Sequence, residues 1–300
     1  MTDATKSEVP AFKRVALIGL GLIGSSLARA LKRGNLASEI IGTARSNATR
    51  AKALELGFID RAEADPASAV MGADLIVLAA PVGANGAIAE AIGPALSPGA
   101  IVTDVGSVKQ AVIDVVQPHL PEVVHLVPAH PVAGTEESGP EAGFAELFDD
   151  RWCILTPPPG TDAAATERVA AMWRAIGSEV DVMEARHHDK VLAITSHLPH
   201  LIAYTIVGTA TELENTLQKE VIKFAAGGFR DFTRIAASDP VMWRDIFLAN
   251  KDAVLEMLGR FDEDLTALQR AIRYDDAKAL EDWFTRTRAI RRSIVDAGQA

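Results

Sequence analysis

At 300 residues the chain has room for two domains, each with a core of its own. Its 48% hydrophobic and 23% charged residues describe an ordinary globular protein. The formal charge of -10 argues against a nucleic-acid partner, since polyanions are bound through basic surfaces, and an anionic ligand would need cations gathered locally.

Residues 1–12 read as a disordered lead-in without the apolar centre of a signal peptide. No uninterrupted apolar segment further on is long enough to span a bilayer, so a cytoplasmic protein with no membrane partner is expected. Val15 to Ile18 form an uncharged run of β-formers, as in a strand buried on both faces of a parallel sheet. It ends in Gly19-x-Gly21-x-x-Gly24. Gly19 and Gly21 turn the backbone without a Cβ to obstruct a pyrophosphate. Gly24 lets a helix over Ser25 to Lys32 pack on the strand with its N-terminal amides facing that group. The glycines alone are a weak signal, but the strand before and the helix after make them a dinucleotide cradle, with Leu22 and Ile23 among its cofactor-binding residues.

A second strand over Glu39 to Ala44 leads into Arg45-Ser46, where an NAD-binding chain carries Asp or Glu for the ribose 2′-hydroxyl. Arg45 and Ser46 suit a 2′-phosphate, which favours NADP over NAD. Alternatively Arg45 is solvated and Ser46 or Asn47 caps the next helix.

Four more apolar runs follow. Ala73 to Ala80 ends at Pro81, Ala100 to Val105 at Gly106-Ser107-Val108-Lys109, and Val123 to Ala129 at His130-Pro131. Arg151 to Thr156, in the same sheet or at its edge, holds the one cysteine, Cys153, as a buried strand residue rather than a reactive thiol. Helical patterns between the runs give an open parallel sheet, whose ligands bind outside the carboxyl ends of the strands. The glycine turn, Arg45, Pro81, Ser107 and His130 should therefore gather along one edge. An amphipathic helix over 161–176, with Val169, Met172, Trp173 and Ile176 on one face, precedes a last strand over Ser178 to Met183.

Beyond about residue 185 only helical periodicity remains, so a dinucleotide-binding domain over 13–184 and an all-helical domain over 185–300 are expected. A long helix from Arg186 toward Gly208 should kink or break at Pro199. Gly227 to Arg234 reads as a loop, and Asp239-Pro240 as the N-cap and first residue of a helix bearing Met242, Trp243, Ile246 and Phe247. Two packing helices cover about 250–272 and 275–296.

His130, fixed by Pro131 at the ligand edge, is the candidate general base; the alternative is a histidine that merely satisfies backbone groups. Ser107 orients a substrate hydroxyl, or caps a helix through Ser107-x-x-Gln110, or both. Lys109 pairs with an anion or is solvated. His197 and His200 share a helix face with Tyr204, and without a third ligand at suitable spacing a polar pocket wall is favoured over a metal site. Asp231 either pre-aims Arg234 at a carboxylate or forms a structural ion pair with it.

Taken together, Gly19-x-Gly21-x-x-Gly24, Asp104 to Lys109, His130 to Glu136, Ser196 to His200, and Gly228 to Ala236 with Ser238 to Trp243 resemble the prephenate and arogenate dehydrogenases, the cyclohexadienyl dehydrogenase family. The resemblance covers about residues 14–255. It implies an α/β fold with a Rossmann-like parallel-sheet domain, followed by an all-helical dimerisation domain like the C-terminal domain of 6-phosphogluconate dehydrogenase. A homodimer with its active site in the cleft between the domains is implied, as is oxidative decarboxylation of prephenate to 4-hydroxyphenylpyruvate, or of arogenate to tyrosine, with hydride passing to NAD or NADP. By match, His130 takes the proton of the ring 4-hydroxyl and Ser107 orients both that hydroxyl and His130. Arg234 binds a carboxylate, Asp231 and Glu136 position it or gate the pocket, and Thr135, His197 and His200 line the substrate site, with His200 nearer the substrate side chain. No metal is implied. The missing acid after the second strand departs from the NAD pattern, and at this length a monofunctional enzyme is expected, with neither a fused chorismate mutase nor a separate regulatory domain.

Two other readings compete. A β-hydroxy-acid dehydrogenase of the same plan, working through a lysine such as Lys190, has no use for His130 to Glu136 combined with Arg230 to Trp243. A non-catalytic dinucleotide sensor would be free to lose His130, Ser107 and Arg234 together, and all three are present.

Overall fold

In the computed structural model, which describes residues 11–135, 137–212, 220, 223 and 227–296, β1 (Phe12–Ile18) is an inner strand of a six-stranded parallel sheet. The order is β3 (Arg61–Glu63), β2 (Ala37–Thr43), β1, β4 (Leu75–Leu78), β5 (Ile101–Asp104) and β6 (His125–Leu126). The helices α1 (Leu22–Arg33), α2 (Asn47–Glu55), α3 (Pro66–Val70), α4 (Asn85–Ile92) and α5 (Gln110–Val116) connect successive strands. Alternation along β1 explains its unbroken apolar run. Val15 and Leu17 enter a core with Leu27 and Leu31 of α1, while Ala16 and Ile18 enter a second core with Ile92 of α4 and Val112 and Val116 of α5.

The run expected from Val123 to Ala129 is divided. Pro128 has no N–H with which to continue the ladder, so β6 ends and β7 (Ala129–Pro131) leaves for a second sheet. There β8 (Trp152–Leu155) lies antiparallel to β7 and parallel to β9 (Glu179–Val182). Arg151 to Thr156 thus belongs to neither the main sheet nor its edge, and His130 sits on a strand of the smaller sheet. The helix α6 (Ala163–Ala175) buries Val169, Met172 and Trp173, with Ile176 beyond its end, as its periodicity predicts. Phe12 already belongs to β1, buried beneath the Arg168 guanidinium at 4.7 Å, so no lead-in extends that far; residues 1–10 lie outside the described residues. Cys153 is buried in β8, and that burial pushes its thiol pKa well up.

Glu184 caps α7 (Ala185–Leu192), which passes through a π-helical turn, Ala193–His197, into α8 (Leu198–Thr211). The widened turn lies just before Pro199, whose missing N–H interrupts the regular ladder, as expected. By length and a mean hydropathy of 1.4, Ala185–Thr211 is long and apolar enough to cross a membrane, against the expectation that no segment would be. Its polar residues His188, Asp189 and His197 nevertheless bond to other elements of the protein. Gly227 to Thr233 is a helix, α9 (Gly227–Thr233), rather than a loop, because its two glycines fall in the first turn and do not interrupt the interior. A 3₁₀ turn, Arg234–Ala237, leads to α10 (Pro240–Ala249), where Asp239 accepts the Met242 N–H at 2.8 Å as its predicted cap.

The chain forms two compact units, one ending at Lys251 and one beginning at Asp252. The sheets and α1 to α10 belong to the first. The expected terminal helices are α11 (Lys251–Arg273) and α12 (Ala277–Asp296).

Candidate active site

Adjacent parallel strands β2, β1, β4 and β5 direct their carboxyl ends to one edge, where Arg45, Gly19, Pro81 and Ser107 follow them. Gly19 has φ +112, and a Cβ on it would lie 2.3 Å from the Ala79 carbonyl oxygen; one on Gly24 would lie 2.1 Å from the Gly19 carbonyl oxygen. A Cβ on Gly21, by contrast, would meet nothing within 4 Å. Gly21 begins α1 with no side-chain cap, leaving the first-turn amides around Leu22 and Ile23 to a ligand. Close packing at two glycines and open space at the third fit a dinucleotide pyrophosphate. Arg45 is exposed beyond β2, and Ser46 caps α2 by accepting the Thr49 N–H at 3.4 Å, the structural alternative raised for it.

Ser107 does not cap α5. The backbone amides of Lys109 and Gln110 instead bond the two carboxylate oxygens of Asp189 on α7, at 2.8 and 2.9 Å, while the Gln110 side chain donates from Nε2 to Asp114. The half-buried Ser107 hydroxyl makes no hydrogen bond among the described residues. Lys109 is not solvated: the anion it pairs with is the Asp104 carboxylate of the protein itself. Its wholly buried ammonium donates to Asp104 at 2.5 Å and to the Ala129 carbonyl at 2.7 Å, joining β5 to β7. Burial pushes the Asp104 pKa up and that of Lys109 down, each opposed by the other's charge.

His130, the middle residue of β7, is buried beside this pair. Its Nδ1 lies 2.8 Å from Nε2 of His188 on α7, the rings meeting edge to face at 5.0 Å. His188 Nδ1 lies 2.8 Å from Asp189 Oδ1. Burial first, then the charges of His188, Lys109 and His197, hold the His130 pKa well below its ordinary value, so the imidazole is neutral near pH 7. Asn250 donates from Nδ2 to the Asp189 carbonyl at 2.8 Å and lies 3.1 Å from His197 Nδ1.

A second group lies around Trp243. His200 stacks on its ring at 3.6 Å and donates from Nδ1 to the Ser196 carbonyl, and His197 meets the ring edge-on at 6.0 Å. The Tyr204 hydroxyl donates to the Ser238 carbonyl. Burial lowers the His200 pKa, the Ser196 carbonyl opposes the shift, and the charge of Arg234 adds to it, so Arg234 and His200 are electrostatic neighbours. Asp231 pairs with Arg230 at 3.6 Å instead of with Arg234, because the helical turn of α9 ends between them. Thr135 is exposed, its hydroxyl accepting the Glu137 N–H; Glu136 lies outside the described residues. Lys190 is exposed on α7, whereas His188 and Asp189 on the same helix are buried. The sequence reading missed His188, Asp189 and Asn250; for the first two the only local signal was a His-Asp pair within the polar run Arg186 to Lys190, and for Asn250 there was none.

The chain matches the family model for the prephenate dehydrogenase nucleotide-binding domain over residues 27–182, and that for the prephenate dehydrogenase dimerization domain over 184–286. It is 45% identical over 285 residues to a cyclohexadienyl dehydrogenase of Zymomonas mobilis, covering 94% of this chain and 96% of that one. It is 36% identical over 281 residues to a prephenate dehydrogenase of Bacillus subtilis, covering 93% of this chain and 76% of the relative. The crystal structure of a prephenate dehydrogenase from Aquifex aeolicus, in complex with hydroxyphenyl propionate and NAD+, matches with TM-score 0.88 at 34% identity, over 94% of this chain and 98% of that one. With both family models and full-length relatives in agreement, the chain belongs to the prephenate dehydrogenase family.

Proposed function

We propose that the protein oxidises prephenate, and arogenate less readily, with loss of carbon dioxide in tyrosine biosynthesis, and that His130 is its general base. The observation that carries the residue assignment is His130 itself: its imidazole is buried and tied through Nδ1 to His188, while the Nε2 of His130 makes no hydrogen bond among the described residues. Histidines that only satisfy backbone groups do not present a lone pair in this way.

When bound at the glycine edge, the nicotinamide cofactor supplies a hydride acceptor. His130 Nε2 takes the proton of the ring 4-hydroxyl, and the electron pair of that O–H bond becomes the new carbonyl bond as hydride leaves the same carbon. The carbonyl then draws the electrons of the ring carboxylate bond, and aromatisation drives the loss of carbon dioxide. The Ser107 hydroxyl, unoccupied by any cap, orients the substrate hydroxyl toward His130. Arg234 pairs with a carboxylate, supplying the local cation that a chain of net charge -10 needs for a dianionic substrate. His200, held on Trp243, faces the substrate side chain. His197, Thr135, Glu136 and Asp231 complete the pocket wall or its gate.

Cofactor preference rests on Arg45, exposed after β2 where no carboxylate follows, and favours NADP with NAD also accepted. A functional division at residues 184/185 and a homodimer complete the proposal. The exposed Leu265 and Ile272 of α11 and Phe284 and Ile290 of α12 support the dimer, being apolar surface of the kind a partner covers. The test is reduced-cofactor formation with prephenate and with L-arogenate, each against NAD and NADP. Highest kcat/KM with prephenate and NADP is expected; higher kcat/KM with arogenate, or with NAD, reverses the corresponding preference.

A further inference from the structure

Asp189 occupies both its oxygens with N–H donors: Oδ1 takes the Lys109 amide and Oδ2 the Gln110 amide. The third neighbour, His188 Nδ1 at 2.8 Å, therefore faces an acceptor and carries the proton. A neutral His188 protonated at Nδ1 has only a lone pair at Nε2, and that lone pair lies 2.8 Å from His130 Nδ1. His130 must then donate from Nδ1, which leaves its own lone pair on Nε2. Burial lowers the pKa of both rings, which suits a chain of neutral imidazoles.

We propose that His188 and Asp189 are positioning residues: through the chain Asp189–His188–His130 they fix His130 as the Nδ1–H tautomer and aim its Nε2 lone pair at the substrate hydroxyl. The proposal rests on the general-base reading of His130 and adds the reason that this nitrogen is the base. The same carboxylate does a second job. By capping the amides of Lys109 and Gln110 it anchors the end of the Ser107 loop, so one acid on α7 sets the orientation of His130 and steadies the segment carrying Ser107. Asn250 extends the anchoring, its amide holding the Asp189 carbonyl and lying against His197.

The experiment combines nitrogen-15 imidazole NMR with kinetics. In the wild-type protein His130 should show a protonated Nδ1 and a bare Nε2. His188→Leu removes the acceptor and should lower kcat about 10²-fold while substrate KM stays within about threefold. His188→Gln restores an acceptor near the Nε2 position and should recover at least about tenfold of that loss. A wild-type His130 protonated at Nε2 would overturn the proposal, and so would a folded His188→Leu variant with kcat within about threefold of wild type. If that variant does not fold, the wild-type tautomer alone decides. An Nδ1–H tautomer found together with normal turnover of His130→Asn would defeat the general-base reading but leave the tautomer assignment standing.

Discussion

Lowering the pH should destabilise the protein through His197, by an amount the structure sets. Burial carries the His197 pKa from 6.5 in an open chain to about 4 in the folded state, with the charges of His188 and His200 acting in the same direction and that of Asp189 opposing. Because the folded pKa is depressed, the unfolded chain binds the proton first as pH falls. No penalty exists above pH 6.5, and it grows from there until the folded group itself titrates near 4. At about 1.4 kcal/mol per unit, the penalty reaches about 2 kcal/mol at about pH 5. His197→Asn removes the titration and keeps an oxygen near the Nδ1 position to accept from Asn250 Nδ2. Urea unfolding of wild type and variant, followed by tryptophan fluorescence near pH 7 and pH 5, measures the difference. The wild type should lose about 2 kcal/mol more than the variant over that interval, because His130, His188 and His200 titrate in both and cancel. Equal losses would refute the reasoning.

Other perturbations separate roles that the structure assigns to different atoms. Arg234→Gln should raise substrate KM about 10- to 100-fold with kcat within about tenfold, as removal of a charged carboxylate contact does; an unchanged KM in steady-state kinetics would return Arg234 to a structural role. Ser107→Ala should lower kcat while leaving unfolding stability within about 0.5 kcal/mol, since Asp189 and not Ser107 caps α5; a loss of about 1 kcal/mol or more would revive the capping box. Gly21→Ala, into open space, should keep stability and raise cofactor Kd at least about tenfold by calorimetry. Gly24→Ala, with its Cβ 2.1 Å from the Gly19 carbonyl oxygen, should lose stability as well, and stability equal to that of Gly21→Ala would contradict the packing described.

The features that could be read from the sequence are those whose cause is local. Gly19 and Gly24 are demanded by backbone contacts within one strand, its turn and its neighbour, and Asp239-Pro240 is a cap whose partner is three residues away. The alternation of apolar runs and helices likewise fixes the layers through burial on both faces of each strand. What escaped depends on partners distant in sequence. The Ser107-x-x-Gln110 pattern is a sound cap by its own residues, yet Asp189, 80 positions from Lys109, takes its place. His188 is 58 positions from His130, and helical periodicity says only that such a residue is buried, not what it touches. The departure of β7 turns on Pro128, one residue inside an otherwise strand-like run. The pairing of Asp231 with Arg230 follows from where α9 ends, which the glycines ahead of it obscured.

The central claim is that His130 Nε2 removes the substrate proton. The most direct measurement is turnover of His130→Asn with prephenate at saturating cofactor, alongside the cofactor Kd of the same variant. A fall in kcat of about 10²- to 10⁴-fold with Kd within about threefold of wild type is predicted. Turnover within about threefold of wild type, with the variant folded and binding cofactor, would contradict it.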